Sequence, residues 1–141
     1  MTTSTSDSAE RFRGTRAAHR DETAEDYVEA IAQLIETSGE ARVRDLAVMM
    51  GVSHVTVTRI IKRLSTKKLV DTEPRRPILL TTAGKRMARK SRERHEIVLA
   101  FLESIGVPKR QAEIDAEGIE HHVSDATIRA MSRAMSRTTG R

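Results

Sequence analysis

The sequence predicts a mostly α-helical protein with one small β-hairpin. Apolar residues recur at helical spacing along most of the 141 residues, which is typical of amphipathic helices. Aromatic residues make up only 2% of the chain and Trp is absent, a composition that disfavours a β-sandwich. Only residues 69–81 contain two short apolar runs flanking a turn, so we expect little β-structure.

The first predicted element is a long helix that ends at Thr37. Residues 1–8 are rich in Ser and Thr and are expected to be disordered, so the helix should start at Ala9 or later. Its apolar stripe consists of Tyr27, Val28, Ile31, Leu34 and Ile35. Asp26 and Glu29 lie almost opposite that stripe, and position alone makes them solvent-exposed acids.

Residues 42–67 have the spacing of a helix-turn-helix. Ala47 supplies a small side chain where the two helices touch, and Gly51 suits a left-handed turn. Ser53 is placed to cap the second helix. Because the turn chemistry and the apolar period agree, we expect a helix-turn-helix DNA-binding domain.

The outward face of the second helix is polar and basic, as expected for contacts with phosphates and base edges. The alternative is an ordinary solvated helix rich in Lys and Arg, and the adjoining turn argues against it. The candidate DNA contacts are Ser53, His54, Val55, Thr56, Thr58, Arg59, Lys62 and Arg63.

The hairpin at residues 69–81 has the form of a β-wing, with Arg75 and Arg76 at its tip near the DNA backbone. The formal net charge of +5 and the sequence pI near 10.1 also point weakly to a polyanionic partner. Together these features predict a winged helix-turn-helix that binds double-stranded DNA.

Three further helices are predicted after the wing. The first begins at Thr81 or Thr82 and runs to about Ile105, basic in its first half and apolar in its second. The second begins near Pro108, and the third spans about 125–136.

The second of these helices contains Glu117, Glu120 and His121, which fall on one narrow arc at helical spacing. Two carboxylates and an imidazole suit a hard or borderline divalent cation, whereas a core would not tolerate them unpaired. A solvated polar face with an incidental histidine is the alternative. The chain has no Cys, which excludes disulfides and thiolate ligands.

Three segments make the chain similar to the diphtheria-toxin-repressor family, in particular to its manganese transport regulator branch. They are Asp26–Glu29 (D-Y-V-E), Arg94-His95-Glu96, and residues 115–124, which include E-G-I-E-H-H. The resemblance implies a homodimeric, Mn(II)-responsive repressor that binds a palindromic double-stranded operator. It also implies one or two Mn(2+) ions per chain, held by Asp26, Glu29, His95, Glu117, Glu120 and His121.

The expected domains are an N-terminal extension, partly disordered (1–20), a winged helix-turn-helix DNA-binding domain (21–82) and a helical metal-binding and dimerisation domain (83–141). No apolar run approaches the length of a membrane span and no signal peptide is evident, so we expect a cytoplasmic protein.

An enzyme is the less favoured interpretation. A helical di-metal carboxylate enzyme needs paired E-x-x-H motifs, and neither these nor H-E-x-x-H occur. A winged-helix regulator that responds to Fe(II) or to a non-metal effector remains open. In the resembling family the iron-responsive branch has Met at the position of Asp26 and Cys at that of Glu117.

Overall fold

A computed structural model describes residues 5–139, with the side chains of residues 7–13 and 22–137. The helices are α1 (Thr5–Ser38), α2 (Val43–Met50), α3 (His54–Thr66), α4 (Thr82–Ser104), α5 (Lys109–Ile119) and α6 (Asp125–Thr139), and the strands are β1 (Val70–Asp71) and β2 (Leu79–Leu80). The predicted fold class, mostly helical with one small β-hairpin, is confirmed. Within the described residues, no helix is long and apolar enough to cross a membrane.

The chain divides into two compact units. One is Ala24–Lys90, and the other combines the described residues before Ala24 with those from Ser91 onward. We call them the reader unit and the sensor unit, respectively.

The reader unit contains the helix-turn-helix. The α2–α3 turn holds Gly51 at a φ of 66°, in the left-handed region where glycine is unstrained. The Ser53 hydroxyl accepts a hydrogen bond from the Thr56 backbone N–H at 3.1 Å and thereby caps α3. Leu46 and Val57 are completely buried, so α2 and α3 pack on the C-terminal half of α1 through the predicted apolar positions.

The wing is a two-stranded antiparallel ribbon. Val70 pairs with Leu80, and Asp71 pairs with Leu79. An isolated bridge between Ala41 and Ile78 ties the second strand to the start of α2, through an Ile78 N–H to Ala41 oxygen hydrogen bond of 2.8 Å. The wing is therefore anchored to the helix-turn-helix by its own backbone.

The start of α4 approaches the wing closely at Gly84. A Cβ at this position would overlap the Leu69 carbonyl oxygen and would lie 3.2 Å from Leu80 Cδ2. Gly84 N–H also donates to the Thr81 hydroxyl at 3.0 Å, which caps the helix. Only glycine permits this approach of helix to strand.

The sensor unit has a much smaller apolar cluster. Val98 of α4, Ala116 of α5 and Ile128 of α6 are its buried members. Several half-buried apolar side chains pack against them, including Leu102 and Met131. The buried polar side chains among the described residues, Ser91, Glu120 and His121, also belong to this unit.

Three predicted boundaries were wrong. Helix α1 begins at Thr5, so residues 5–8 are helical where disorder was expected; residues 1–4 lie outside the described part of the chain. Helix α5 ends at Ile119, which leaves Glu120 as its C-cap and His121 in the following turn. Helix α6 continues to Thr139, beyond the predicted end near residue 136.

Candidate metal centre and DNA interface

The sensor unit brings together three of the predicted metal ligands. His95 projects from α4, Glu117 lies in the last turn of α5, and Glu120 is the residue that caps α5. His95 Nδ1 is 2.8 Å from Glu120 Oε2 and 3.5 Å from Glu117 Oε1. One ligand atom from each side chain lies within 4.8 Å of the other two, a spacing that suits a single ion.

Glu120 lies between two imidazoles. Its other carboxylate oxygen, Oε1, is 3.1 Å from His121 Nε2. The side chains of Glu120 and His121 are each 1% exposed, whereas Glu117 is 63% exposed. Because Glu120 retains helical backbone angles (φ −56°, ψ −31°), its side chain continues the helical arc even though α5 has ended.

The buried polar atoms of this cluster test whether a metal fits. His95 Nδ1 and both carboxylate oxygens of Glu120 are buried and make no hydrogen bond of regular geometry, although nitrogen and oxygen lie close together. Buried polar groups nearly always have a partner, and a buried carboxylate without one is costly. A divalent cation would satisfy these atoms, and the oxygen and imidazole donors without sulfur suit a hard or borderline ion.

Arg94 stabilises the backbone around the cluster, a role that sequence reasoning missed. Its guanidinium donates to the carbonyl oxygens of Glu120 and Val123 and to the Asp125 carboxylate. Helix ends leave carbonyl groups unpaired, so a fixed fork of N–H donors is well suited to this position. Arg94 belongs to the motif Arg94-His95-Glu96, but no signal in the sequence assigns this function to it.

Glu22 is a second residue that sequence reasoning did not single out. Its carboxylate oxygen Oε2 is 3.2 Å from His122 Nε2, within the sensor unit. This contact links α1 to the turn between α5 and α6. The partners are 100 positions apart in sequence, so no local pattern indicates it.

Asp26 and Glu29 belong to the reader unit, one turn apart on α1. Both are half-buried, so they are less exposed than their position in the sequence alone indicated. Burial raises the pKa of the neighbouring Tyr27 hydroxyl, and the negative charge of Asp26 raises it further. As metal ligands, Asp26 and Glu29 remain predictions from the resemblance.

The outward face of α3 is open for nucleic acid. His54, Val55, Thr58, Arg59, Lys62 and Arg63 are all exposed. Ser53 and Thr56 have a further role, because their hydroxyls are 3.0 Å apart and the Ser53 hydroxyl caps the helix. Thr56 is half-buried, so its hydroxyl is less available to DNA than the sequence suggested.

A basic groove separates α3 from the wing. Its volume is about 850 Å³, and its lining includes Arg42, Arg44, His54, Lys62, Arg75 and Arg76. Both wing arginines are exposed, as predicted, and Arg75 has a φ of 65° in the left-handed region. A groove of this charge is suited to a phosphate backbone.

Arg42, which sequence reasoning did not select, holds the tip of the wing. Its Nη1 donates to the Arg75 carbonyl oxygen at 3.5 Å, and its Nε donates to Glu40 Oε1 at 2.8 Å. This hydrogen bond lowers the pKa of Glu40 and raises the pKa of Arg42, because each charge stabilises the other.

A helix-turn-helix with a basic wing and a separate acid–imidazole cluster defines a metal-responsive DNA-binding regulator. Two family models match the chain: the iron dependent repressor N-terminal DNA binding domain over residues 21–78, and the iron dependent repressor metal binding and dimerisation domain over residues 81–139. The chain therefore belongs to the iron-dependent repressor family. This membership confirms DNA and a second copy of the chain as partners, and a regulator rather than an enzyme.

Similar proteins of known name support the same assignment. "Transcriptional regulator MntR" of Escherichia coli O6:H1 is 50% identical over 121 residues, which cover 86% of this chain and 78% of that protein. "HTH-type transcriptional regulator MntR" of Bacillus subtilis (strain 168) is 40% identical over 100 residues, 71% of this chain and 70% of that protein.

Among solved structures, a "Manganese-dependent transcriptional repressor complex with manganese" is similar, with a TM-score of 0.72 and 29% identity. The alignment covers 80% of this chain and 52% of that one, so this chain spans about half of the solved protein's length.

Proposed function

We propose that this protein is a Mn(II)-responsive DNA-binding transcriptional regulator that represses manganese-uptake genes. The observation that supports this most directly is the cluster of His95, Glu117 and Glu120, whose donors are oxygen and imidazole nitrogen. Such donors suit Mn(II) better than a soft metal, and the chain has no cysteine to offer instead. The similar manganese-dependent transcriptional repressor, whose structure is a complex with manganese, supports the same metal.

The proposed ligand set is larger than the cluster within the sensor unit. It adds His121, whose imidazole contacts Glu120, and the reader-unit acids Asp26 and Glu29, which rest on the sequence resemblance. Six ligands are enough for one or two Mn(II) ions per chain. When bound, the metal ion would offset the negative charge of the carboxylates and would be coordinated by these oxygen and nitrogen atoms.

Regulation follows from the charges of the chain's own residues. Without a cation, the negative charges of the proposed carboxylates repel one another and the buried oxygens of Glu120 make no regular hydrogen bond, so the arrangement competent to bind DNA is disfavoured. A ligand shifts that equilibrium only as far as its affinities for the two arrangements differ. The proposed sensor therefore needs ligands from both units, so that metal affinity depends on their arrangement.

The proposed operator is a palindrome in double-stranded DNA, read by a homodimer in the cytoplasm. Half-sites about 34–36 Å apart would place the α3 helices of the two copies in successive major grooves. Arg59 and Lys62 on the exposed face of α3 would contact bases or phosphates, and the wing arginines Arg75 and Arg76 would contact the backbone.

An Fe(II)-responsive regulator is the second candidate, because the matching family models are described as iron dependent. The two metals are distinguished by measuring operator binding with each metal under anaerobic conditions at matched occupancy. Stronger activation by Fe(II) than by Mn(II) would replace the first proposal with the second. Operator affinity that is independent of metal would instead indicate a non-metal effector.

The metal site is tested by titrating metal-free protein with Mn(II) and following the free ion by electron paramagnetic resonance. We expect saturable binding of one or two ions per chain, lost or weakened at least about 10-fold in Glu120→Gln. Glu103→Gln is the matched control, because Glu103 is an exposed α4 glutamate outside the proposed ligand set. Equal binding by all three proteins would contradict the proposed ligands.

DNA reading is tested separately with Arg59→Ala. We expect operator binding to weaken by about 10- to 100-fold while Mn(II) stoichiometry is unchanged, since one good base contact contributes about 1–3 kcal/mol. Lys67→Ala, an exposed change just past the end of α3, is the control. A changed metal stoichiometry in Arg59→Ala would contradict the division of roles between the units.

A further inference from the structure

We propose that Arg94 is a positioning residue for the metal centre, which holds the Glu120–His121 segment in register with His95 before any ion binds. The inference deepens the proposed function and rests on it. It concerns only residues of the sensor unit.

The first step of the argument is the way in which α5 ends. The helix stops at Ile119, and the His122 N–H closes a tight turn onto the Ile119 carbonyl oxygen at 3.0 Å. The carbonyl oxygens beyond that point have no helical partner. Arg94 supplies donors to two of them: Nε and Nη2 reach the Glu120 oxygen at 3.1 and 2.8 Å, and Nη2 also reaches the Val123 oxygen.

The second step is the hydrogen bond that the remaining nitrogen of the same guanidinium makes to α6. Its Nη1 donates to Asp125 Oδ1 at 2.6 Å, and Asp125 is the first residue of α6. The Arg94 side chain is only 13% exposed, whereas Asp125 is 56% exposed, so the charge-assisted bonds to the carbonyl oxygens are more shielded from solvent than the bond to Asp125. One planar group therefore joins the end of α5, the turn and the start of α6.

The third step connects this network to the ligands. Arg94 precedes His95 in α4, and the carbonyl it binds belongs to Glu120, whose carboxylate lies 2.8 Å from His95 Nδ1. Arg94 is thus joined to His95 by the α4 backbone and to Glu120 by a hydrogen bond, and in this way it holds the two ligands at their observed spacing. Holding ligands in place in advance lowers the entropy cost of binding an ion, and residues that orient ligands typically change metal affinity 10- to 100-fold.

The test is Arg94→Lys, which keeps the positive charge but cannot reproduce the planar fork of donors. Arg92→Lys is the matched control, since Arg92 lies two residues earlier and pairs with Glu96 on an exposed surface. We expect Mn(II) affinity, measured by electron paramagnetic resonance, to fall about 10-fold or more in Arg94→Lys and to be unchanged in Arg92→Lys.

A purely structural role for Arg94 is distinguished by two further readouts. Urea unfolding of the metal-free proteins gives the folded fraction, and the spectrum of bound Mn(II) reports the symmetry of its ligands. We expect an altered bound spectrum and weaker affinity even after correction for the folded fraction. Wild-type affinity and spectrum in folded Arg94→Lys would overturn the inference.

Asp125→Asn keeps the test decisive if Arg94→Lys does not fold. It removes one charge-assisted bond and leaves the bonds to the carbonyls of Glu120 and Val123, so we expect a smaller loss of affinity, of a few-fold. No loss in this variant would then count against the inference. Absence of Mn(II) binding by the wild type would overturn the proposed function as well, whereas loss in Glu120→Gln with full binding in Arg94→Lys would overturn the inference alone.

Discussion

Among the described residues, the apolar cluster of the reader unit has sixteen buried hydrophobic side chains, whereas that of the sensor unit has three. The buried polar side chains, by contrast, are Ser91, Glu120 and His121, all in the sensor unit. The stabilisation from apolar burial does not require a particular charge state or a bound cation, whereas the stability of buried acids and imidazoles depends on both. We therefore expect the reader unit to fold without metal, and the stability of the sensor unit to respond to metal binding.

The largest effect expected in the reader unit comes from Gly84→Ala. The added Cβ would overlap the Leu69 carbonyl oxygen, so α4 or β1 must move, at a cost of roughly 3 kcal/mol or more in the free energy of unfolding. Gly118→Ala in α5 is the contrasting change, because nothing lies within 4 Å of its Cβ position and alanine favours a helix by about 1 kcal/mol. Urea unfolding of both variants measures the difference, and equal stabilities would refute the close approach at Gly84.

The next effect is metal-dependent and should concentrate in the sensor unit. With free Mn(II) at about 100 times its dissociation constant, binding stabilises the folded chain by about 2.7 kcal/mol. Hydrogen exchange should show the greatest gain in protection around Glu120 and His121. The backbone amides of Leu46 and Val57, in the apolar core of the reader, should change less. A uniform gain in protection across both units would contradict a metal dependence that is confined to the sensor unit.

A smaller effect is expected for the stability of Glu120→Gln without metal. This substitution should weaken Mn(II) binding but stabilise the metal-free fold. The carboxylate is buried and its oxygens make no regular hydrogen bond, whereas a glutamine amide is neutral and can donate to His95 Nδ1. We expect the metal-free variant to be more stable than the wild type by about 1 kcal/mol. Thermal unfolding at neutral pH measures this, and a destabilised variant would mean that Glu120 is well paired in the absence of metal.

The smallest effect on stability concerns Tyr27 and is expected only at alkaline pH. Tyr27 is the only tyrosine in a chain without Trp. Its pKa is raised above the ordinary value of about 10, first by burial and then by Asp26. Tyr27 therefore contributes stability that is fully present below about pH 10 and is lost as the pH rises through the raised pKa. Tyrosinate absorbance should appear together with alkaline unfolding of the reader unit, and ionisation at an unshifted pKa in the folded protein would contradict this.

The parts of the fold that the sequence predicted well depend on local signals. Gly51 and Ser53 act on the backbone of their own turn, and the apolar period of α3 is visible in thirteen residues. The wing was recognised because prolines and arginines separate two short apolar runs. In each case the residues that determine the structure are neighbours in sequence.

The parts that were missed depend on distant residues. Helix α5 was expected to include Glu120 and His121, but it ends at Ile119, where Arg94 binds the freed carbonyl groups from 26 and 29 positions away. The close approach at Gly84 requires the position of Leu69, and the contact between Glu22 and His122 spans most of the chain. Of the candidate site, residue types and spacing indicated the ligands, but not the residue that positions them.

The backbone of Arg75 has a consequence for engineering this protein. At a φ of 65°, a side chain costs about 1–2 kcal/mol that glycine would not incur. Arg75→Gly should therefore increase the stability of the protein. If the guanidinium contacts DNA as proposed, the same substitution should weaken operator binding. A screen that selects variants for thermal stability alone would favour this substitution. To retain the positive charge of the wing, the screen must also measure operator binding.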